Sequence, residues 1–417
     1  MNKKAARLWY KLNERTEIKV KTAVGVTDTV EVGALVGQGS AGAAVASQAM
    51  IDMGLKEYFA GSADEMYYGT VRVESAAFQD DILKPSGDVN SAQAGMTRLA
   101  AMLGARGLEA HREKTCYLVC GSREFKEEVA REVELTPLVF GSFEVGRRKC
   151  EKYLGQMLHE DGLSMSVEAT IMERAGKIKG AIYTTASILD TVEMQAMGGL
   201  MAAKILWEGT IVPSLLAGAG TWVAITGKQE EMLEEVQELY WRTILQVPKG
   251  TPKVMLRAET ASMRMKQRVW KQKLMLAARI SGQEGSLASQ IYAEQLEMGW
   301  PGLAKEVKEI SEACGVEDMN KRMMNKEEIH EAVFYASYKE TKEEMKRYEK
   351  LKEIKDEDFR KEQDYMEEKA MDTARMAFRI RTKMVKNVKM NFKNMYKDNL
   401  KCEKCEMDED ESQEHLL

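Results

Sequence analysis

The chain has 417 residues, of which 44% are apolar and 30% charged, enough for a sizeable core and two or three ordinary domains. With 29 Met and only 6 Pro, the composition points to Met-packed helices and away from β-sandwich or proline-rich architectures. The net charge of −5 indicates no partner by itself, and the scattered cysteines exclude a secreted disulfide framework and favour an intracellular setting.

In chain order, residues 4–13 read as a short helix. Residues 17–24 and 28–35 alternate apolar and polar positions around Gly25-Val26-Thr27, which predicts a hairpin. A glycine-bearing stretch at 33–52 follows, and residues 43–55 predict a helix of small apolar residues ended by Gly54. YYGTVRV (67–73) and SAAF (75–78) predict short strands, with FQDD turning the chain into Ile82-Leu83 before the loop Pro85-Ser86-Gly87. Residues 91–107 predict an amphipathic helix, and KTCYLVCG (114–121) another strand.

From Val167 to about Ile310 the pattern is almost wholly helical, with loops expected at Pro213, at Gly218-Ala219-Gly220 and from Pro248 to Pro252. Beyond Asn320 the Lys- and Glu-rich chain predicts long exposed helices. The first twenty residues lack the apolar run of a secretory signal. The longest apolar stretch, residues 198–226, carries Lys204 and Glu208 and reads as buried helices, so no membrane span is expected.

Two segments carry candidate chemistry. Gly37, Gly39 and Gly42 fit the G-x-G-x-x-G spacing of a dinucleotide loop. The acidic ribose ligand expected some 20 residues later, at the end of a second parallel strand, is missing, because Asp64 and Glu65 fall in a polar loop. The same residues also suit close helix–sheet packing, or the wall of a nucleotide–template groove. Asp80 and Asp81 are adjacent carboxylates between apolar strand segments. They are either solvated turn residues or hard oxygen ligands held on a rigid hairpin, as Mg²⁺ requires. A complete two-ion site needs at least one further Asp from a neighbouring strand.

The order of these segments resembles the palm of reverse transcriptases of non-LTR (LINE-type) retrotransposons. Gly37-Gln38-Gly39-Ser40 is similar to that family's QGS motif, and Phe78-Gln79-Asp80-Asp81 to its [YF]xDD box. Residues 107–115, from Gly107-Leu108 to Lys114-Thr115, resemble its "GL…KT" segment, and Tyr153-Leu154-Gly155 its primer grip. WEGTIVPSLLAGAGTW (207–222) and RTILQVPKGTPKVMLRAE (242–259) resemble its thumb. The resemblance implies an α+β fold: a partial palm of small antiparallel sheet and helices, then an all-α thumb and long charged C-terminal helices. It implies a partial fingers/palm domain at 1–165, a thumb at 166–310, a charged helical extension at 311–401 and an incomplete zinc-knuckle tail at 402–417.

By the same resemblance the reaction is RNA-directed DNA polymerisation with Mg²⁺, an RNA template, a DNA primer and dNTPs. Asp80 and Asp81 are then metal ligands and Lys114 the acid beside pyrophosphate. Gly37, Gln38, Gly39, Ser40 and Phe78 line the template–nucleotide groove, and Tyr153, Leu154 and Gly155 hold the primer end. Two departures matter. Gln79 stands where the family usually has Ala. Only 36 residues precede Gly37, and their one aspartate, Asp28, lies in the hairpin segment. The family's first catalytic aspartate is therefore expected to be missing, and the chain alone is expected not to polymerise.

Three further expectations concern the rest of the chain. Trp207, Trp222 and Trp241 sit on apolar faces and should be core. Arg375, Arg379, Lys383, Lys386, Lys393, Lys397 and Lys401 recur at helical spacing, either as a phosphate-binding stripe or as a solvated face. Cys402, Cys405 and His415 make three-quarters of a zinc knuckle, a weak Zn²⁺ site in a largely disordered tail. The rival to a catalytic reading is a remnant that binds RNA or DNA without chemistry.

Overall fold

The structure is a computed structural model. It describes the backbone of residues 16–18, 21–22, 25–26, 30–32, 41–47 and 59, and backbone with side chains for 48–58, 66–73, 75–191, 199–348, 354, 357–367 and 370–384. The fold is mixed α and β, mainly helical, with two-stranded sheets. It divides into two compact units, Met1–Leu154 and Gly155–Leu417. Among the described residues no helix is long and apolar enough to cross a membrane.

In unit 1, β1 (Thr16–Ile18) pairs antiparallel with β4 (Val30–Val32), and between them β2 (Lys21–Thr22) pairs with β3 (Gly25–Val26). Gly25 and Val26 are thus paired strand residues and not the turn that their glycine suggested. The antiparallel β4, immediately before the glycine stretch, is not the parallel strand of a dinucleotide fold. Helix α1 (Ala41–Phe59) runs straight through Gly54. A Cβ at Gly54 would lie 2.6 Å from Sδ of Met102, which is fully buried on α2 (Val89–Gly104). This glycine lets two helices approach and terminates neither.

Strands β5 (Met66–Tyr68) and β6 (Val71–Val73) form one hairpin, and β7 (Ala76–Phe78) and β8 (Asp81–Leu83) a second. Helix α2 is capped at its start by Asp88, whose Oδ1 accepts from Ser91 N at 2.7 Å. It ends with Leu108 N donating to Leu103 O and Gly107 N to Gly104 O, with Gly107 left-handed at φ 66°. That is a Schellman close, which requires a residue tolerant of positive φ at Gly107. The 114–121 segment contributes only β9 (Cys116–Tyr117), paired in parallel with β12 (Gly146–Arg147). Helix α3 (Arg123–Leu135), the pair β10 (Val139–Phe140) and β11 (Phe143–Glu144), and β13 (Cys150–Tyr153) complete the unit. Its core gathers Ile51, Met102, Leu103, Phe140 and Val145, with Ala77 and Ile82 of the second hairpin packed on them.

Unit 2 starts with β14 (Gln156–His159) and the long α4 (Leu163–Leu189). Pro213 does not break the chain into a loop. Helix α5 (Gly199–Leu206) continues through one π-turn, Trp207–Ile211, into α6 (Val212–Leu215). Proline lacks an N–H and crowds the carbonyl one turn back, and the wider π-turn relieves that crowding. Gly218 (φ 71°) opens a short 3-10 turn, Ala219–Thr221. Helices α7 (Gly227–Leu245), α8 (Lys253–Glu259), α9 (Met265–Ser281), α10 (Leu287–Met298), α11 (Leu303–Cys314), α12 (Lys326–Met345) and α13 (Met371–Arg381) follow.

Trp207, Trp222 and Trp241 are core, as their apolar setting predicted. The described residues beyond Asn320 are not a set of exposed helices. Met345, Phe359, Met371 and Phe378 share the core of α4 to α9, and Ile329 and Val333 pack with α9 to α11.

Candidate functional site

The strongest candidate is the turn of the β7–β8 hairpin. Phe78 pairs with Asp81, Ala77 with Ile82 and Ala76 with Leu83, so Gln79 and Asp80 form a two-residue loop. Gln79 has φ 57°. A positive φ at the first loop residue matches the twist of the flanking strands, although a non-glycine residue is strained there. Alternation does the rest: Ala77 and Ile82 face the core, whereas Phe78, Asp80 and Asp81 are exposed. The turn is also tethered, because Gln79 N donates to Oε1 of Gln48 on α1 at 2.7 Å. Gln48 was not singled out from sequence. Its one signal is a polar residue amid the small apolar residues of α1.

Tyr153 stands beside this hairpin. Its hydroxyl donates to Ala76 O at 3.4 Å, and its ionisation is pushed up first by partial burial and then by the Asp81 carboxylate. The structure therefore brings together Phe78, Asp80, Asp81 and Tyr153 of the sequence-derived set. Leu154 is exposed at φ 47° and Gly155 follows at φ 78°, two successive left-handed residues of a tight turn.

Lys114 is exposed in a turn closed by Lys114 N and Thr115 N, both donating to His111 O at 3.1 and 3.0 Å. No hydrogen bond or ion pair joins it to the acidic hairpin among the described residues. Gly37, Gln38, Gly39 and Ser40 lie outside the described residues, as do Asp28, Lys386, Lys393, Lys397, Lys401, Cys402, Cys405 and His415.

In unit 2, Gly155 is held by a polar row on α4 that sequence reading passed over. Ser166 Oγ accepts from His159 N at 2.8 Å and Thr170 Oγ1 from Met157 N at 2.9 Å. Arg174, one turn further, donates to Gly155 O at 2.7 Å, Ala217 O at 2.7 Å and Leu215 O at 3.0 Å. Its guanidinium also lies over Trp222, 5.7 Å from the ring centroid. The four-residue spacing of Ser166, Thr170 and Arg174 on an otherwise apolar face was the available signal.

The described start of the basic stripe is engaged by the chain itself. Arg375 is buried, donates to Ile244 O at 2.8 Å and pairs with Asp190 at 2.7 Å. Arg379 donates to Gln246 O at 3.0 Å. These cations cap the C-terminal carbonyls of α7, where the helix dipole favours positive charge, and Arg375 does not face solvent.

Asp80 and Asp81 are two carboxylates on one turn. Among the described residues no group of three or more His, Cys, Asp or Glu side chains could hold a metal ion. One adjacent pair leaves most of an octahedral Mg²⁺ shell to water, so the described residues do not make a complete Mg²⁺ site. No family model, curated protein or solved structure matches the chain.

Proposed function

We propose that the chain is a reverse-transcriptase-type protein of the non-LTR retrotransposon class. It engages an RNA template and a DNA primer, and its described residues hold primed nucleic acid without extending it. The reaction class of the complete assembly is template-directed nucleotidyl transfer from dNTPs. What supports the reading is the acidic turn itself: Asp80 and Asp81 exposed on a strained hairpin, tied to α1 through Gln48 and flanked by Phe78 and Tyr153. In this reading Phe78 and residues 37–40 line the template–nucleotide groove, Tyr153 to Gly155 position the primer end and Lys114 acts near the leaving pyrophosphate. Residues 166–310, within unit 2, are the thumb, and residues 311–401 the charged helical extension.

Binding without extension follows from the donor set. Two exposed carboxylates with no third acidic partner among the described residues repel phosphate and provide no reaction centre of their own. The test is fluorescence anisotropy with a DNA-primed RNA across a salt series, alongside a primer-extension assay with Mg²⁺ and dNTPs. Affinity should fall steeply with salt. In metal-free buffer the double variant D80N/D81N should bind more tightly, because two repelling charges are gone. No extended product is expected. Absence of primed-RNA binding at low salt sinks the reading, and extension by the purified chain overturns its binding-only half.

A further inference from the structure

Helices α9 and α12 bring Arg268, Lys271 and His330 together. Arg268 is fully engaged, donating through both terminal guanidinium nitrogens to Glu208 of the π-turn at 2.6 Å each and through Nε to Met263 O at 3.1 Å. One turn along α9, Lys271 is half-buried and has no carboxylate partner among the described residues. Its ammonium donates to Nδ1 of His330 at 3.0 Å, so that ring nitrogen is unprotonated in this arrangement; His330 is an exposed residue near the start of α12.

We propose that Lys271 and His330 form a binding site for a phosphate group, with Arg268 and Lys326 supplying the surrounding positive field. Protonating Nδ1 ends the Lys271–His330 hydrogen bond, and the ammonium and the imidazolium N–H can then each donate to a separate oxygen of one phosphate set between them. A bound dianion offsets the repulsion that otherwise keeps both groups from being charged together.

The titration behaviour of the cluster fits this arrangement. The His330 ring is held below its ordinary range by partial burial, then by Lys271 and Arg268, with Glu208 and Glu331 opposing. Lys271 is lowered by burial, then by Arg268, with Lys326 adding to it and Glu208 opposing. Glu208 is also faced by Lys204, which is itself engaged by Glu362 and by Thr260 O. The uncharged Phe334 ring also lies beside the imidazole, 6.0 Å between centroids. The site does not depend on the polymerase-type reading, and a phosphate response without primer–template binding leaves it standing.

The experiment follows the His330 imidazole by NMR through a pH titration of the full chain, with the signal assigned by its loss in H330Q. The titration is repeated with millimolar inorganic phosphate, with a short DNA duplex and with chloride at matched ionic strength. Phosphate should raise the apparent pKa of His330 by about one unit, which by linkage is about tenfold tighter binding to the protonated site. K271M should raise the ligand-free pKa and abolish the phosphate response, while its circular dichroism and unfolding midpoint report that the fold is kept. A response to the duplex identifies a phosphodiester source, and a response to inorganic phosphate alone identifies the free anion. A His330 that titrates identically in phosphate and chloride and ignores the duplex overturns the proposal. So does a phosphate response that survives unchanged in K271M.

Discussion

The backbone N–H of Gln79 donates to Oε1 of Gln48 at 2.7 Å, so the exposed acidic turn is bonded to the helix that follows the glycine stretch. Both residues are accessible to solvent, which lets water replace the bond, and its net worth is therefore modest. Q48A should cost about 0.5–1.5 kcal/mol, felt in the hairpin and little elsewhere. Amide hydrogen exchange reads this directly. Gln79 N–H should lose protection in Q48A while amides in the middle of α2 keep theirs. Equal loss at both places means that Gln48 supports the whole unit and not the turn.

The same turn stores strain at Gln79, whose φ of 57° a side chain disfavours and glycine does not. Q79G should stabilise unit 1 by up to about 1 kcal/mol, and Q79V should destabilise it by more than that. Urea unfolding of the two variants separates the cases. A stable Q79V would mean that the turn relaxes freely and holds its acids in no fixed direction.

Arg174 satisfies three carbonyls at once, from Gly155, Leu215 and Ala217, with its side chain nearly enclosed. R174M keeps most of the volume and strands those oxygens. It should cost about 1–3 kcal/mol, the penalty for leaving buried acceptors without a donor. R174K should recover only part of this, because a point ammonium cannot reach three acceptors in a fork. If R174K matches wild type in thermal unfolding, the fork geometry is irrelevant and the row on α4 is only packing.

How far the sequence reaches depends on whether a residue's neighbours are local. The β7–β8 hairpin and its acids are legible because alternation on both sides of a two-residue turn is a short-range pattern, whereas the bond from Tyr153 to Ala76 O joins distant parts of the chain and no local pattern shows it. Gly54 and Pro213 mislead, since both are local stop signals that distant packing overrides: Met102 needs the space at Gly54, and a π-turn absorbs Pro213. Arg375 misleads for a related reason. Helical spacing identifies a face but cannot show whether that face meets water or the carbonyls of another helix, and here it meets Ile244 O. Gln48 serves the Gln79 turn, and Arg174 the carbonyls of Leu215 and Ala217, so their roles emerge only with the fold.

Glycines in unit 2 allow a prediction whose sign depends on position. A Cβ at Gly220 would sit 2.8 Å from the backbone oxygen of Gln272 and 3.0 Å from Cβ of Leu276, neither of which can swing aside. Gly176 and Gly180 lie mid-helix on α4 with nothing within 4 Å of a built Cβ. G220A should therefore destabilise by about 1–3 kcal/mol through overpacking. G176A and G180A should each stabilise by up to about 1 kcal/mol through helix propensity. Urea midpoints of the three single variants test this, and a stabilised G220A removes the claim that α9 packs closely on that turn.

Glu234 gives unit 2 a pH dependence of definite sign. It is 8% exposed, and its Oε1 accepts from Met265 N at 2.8 Å. Burial raises its pKa above 4.5 and outweighs the attraction of Arg257 and Arg264. Those arginines are shared with other acids, Arg257 with Glu344, and Arg264 with Glu340 at 2.9 Å. A raised folded-state pKa means that the folded chain binds this proton more tightly than the unfolded chain does. The stabilisation is complete below 4.5 and is lost as pH rises through the folded value, where an ionised carboxylate must stay buried. E234Q keeps an oxygen for Met265 N–H and cannot ionise. Its unfolding free energy, measured by urea titration at successive pH values, should lack the decline that wild type shows upward from 4.5. Parallel curves for the two proteins would show that Glu234 is already ionised across that range, its burial offset by Arg257 and Arg264.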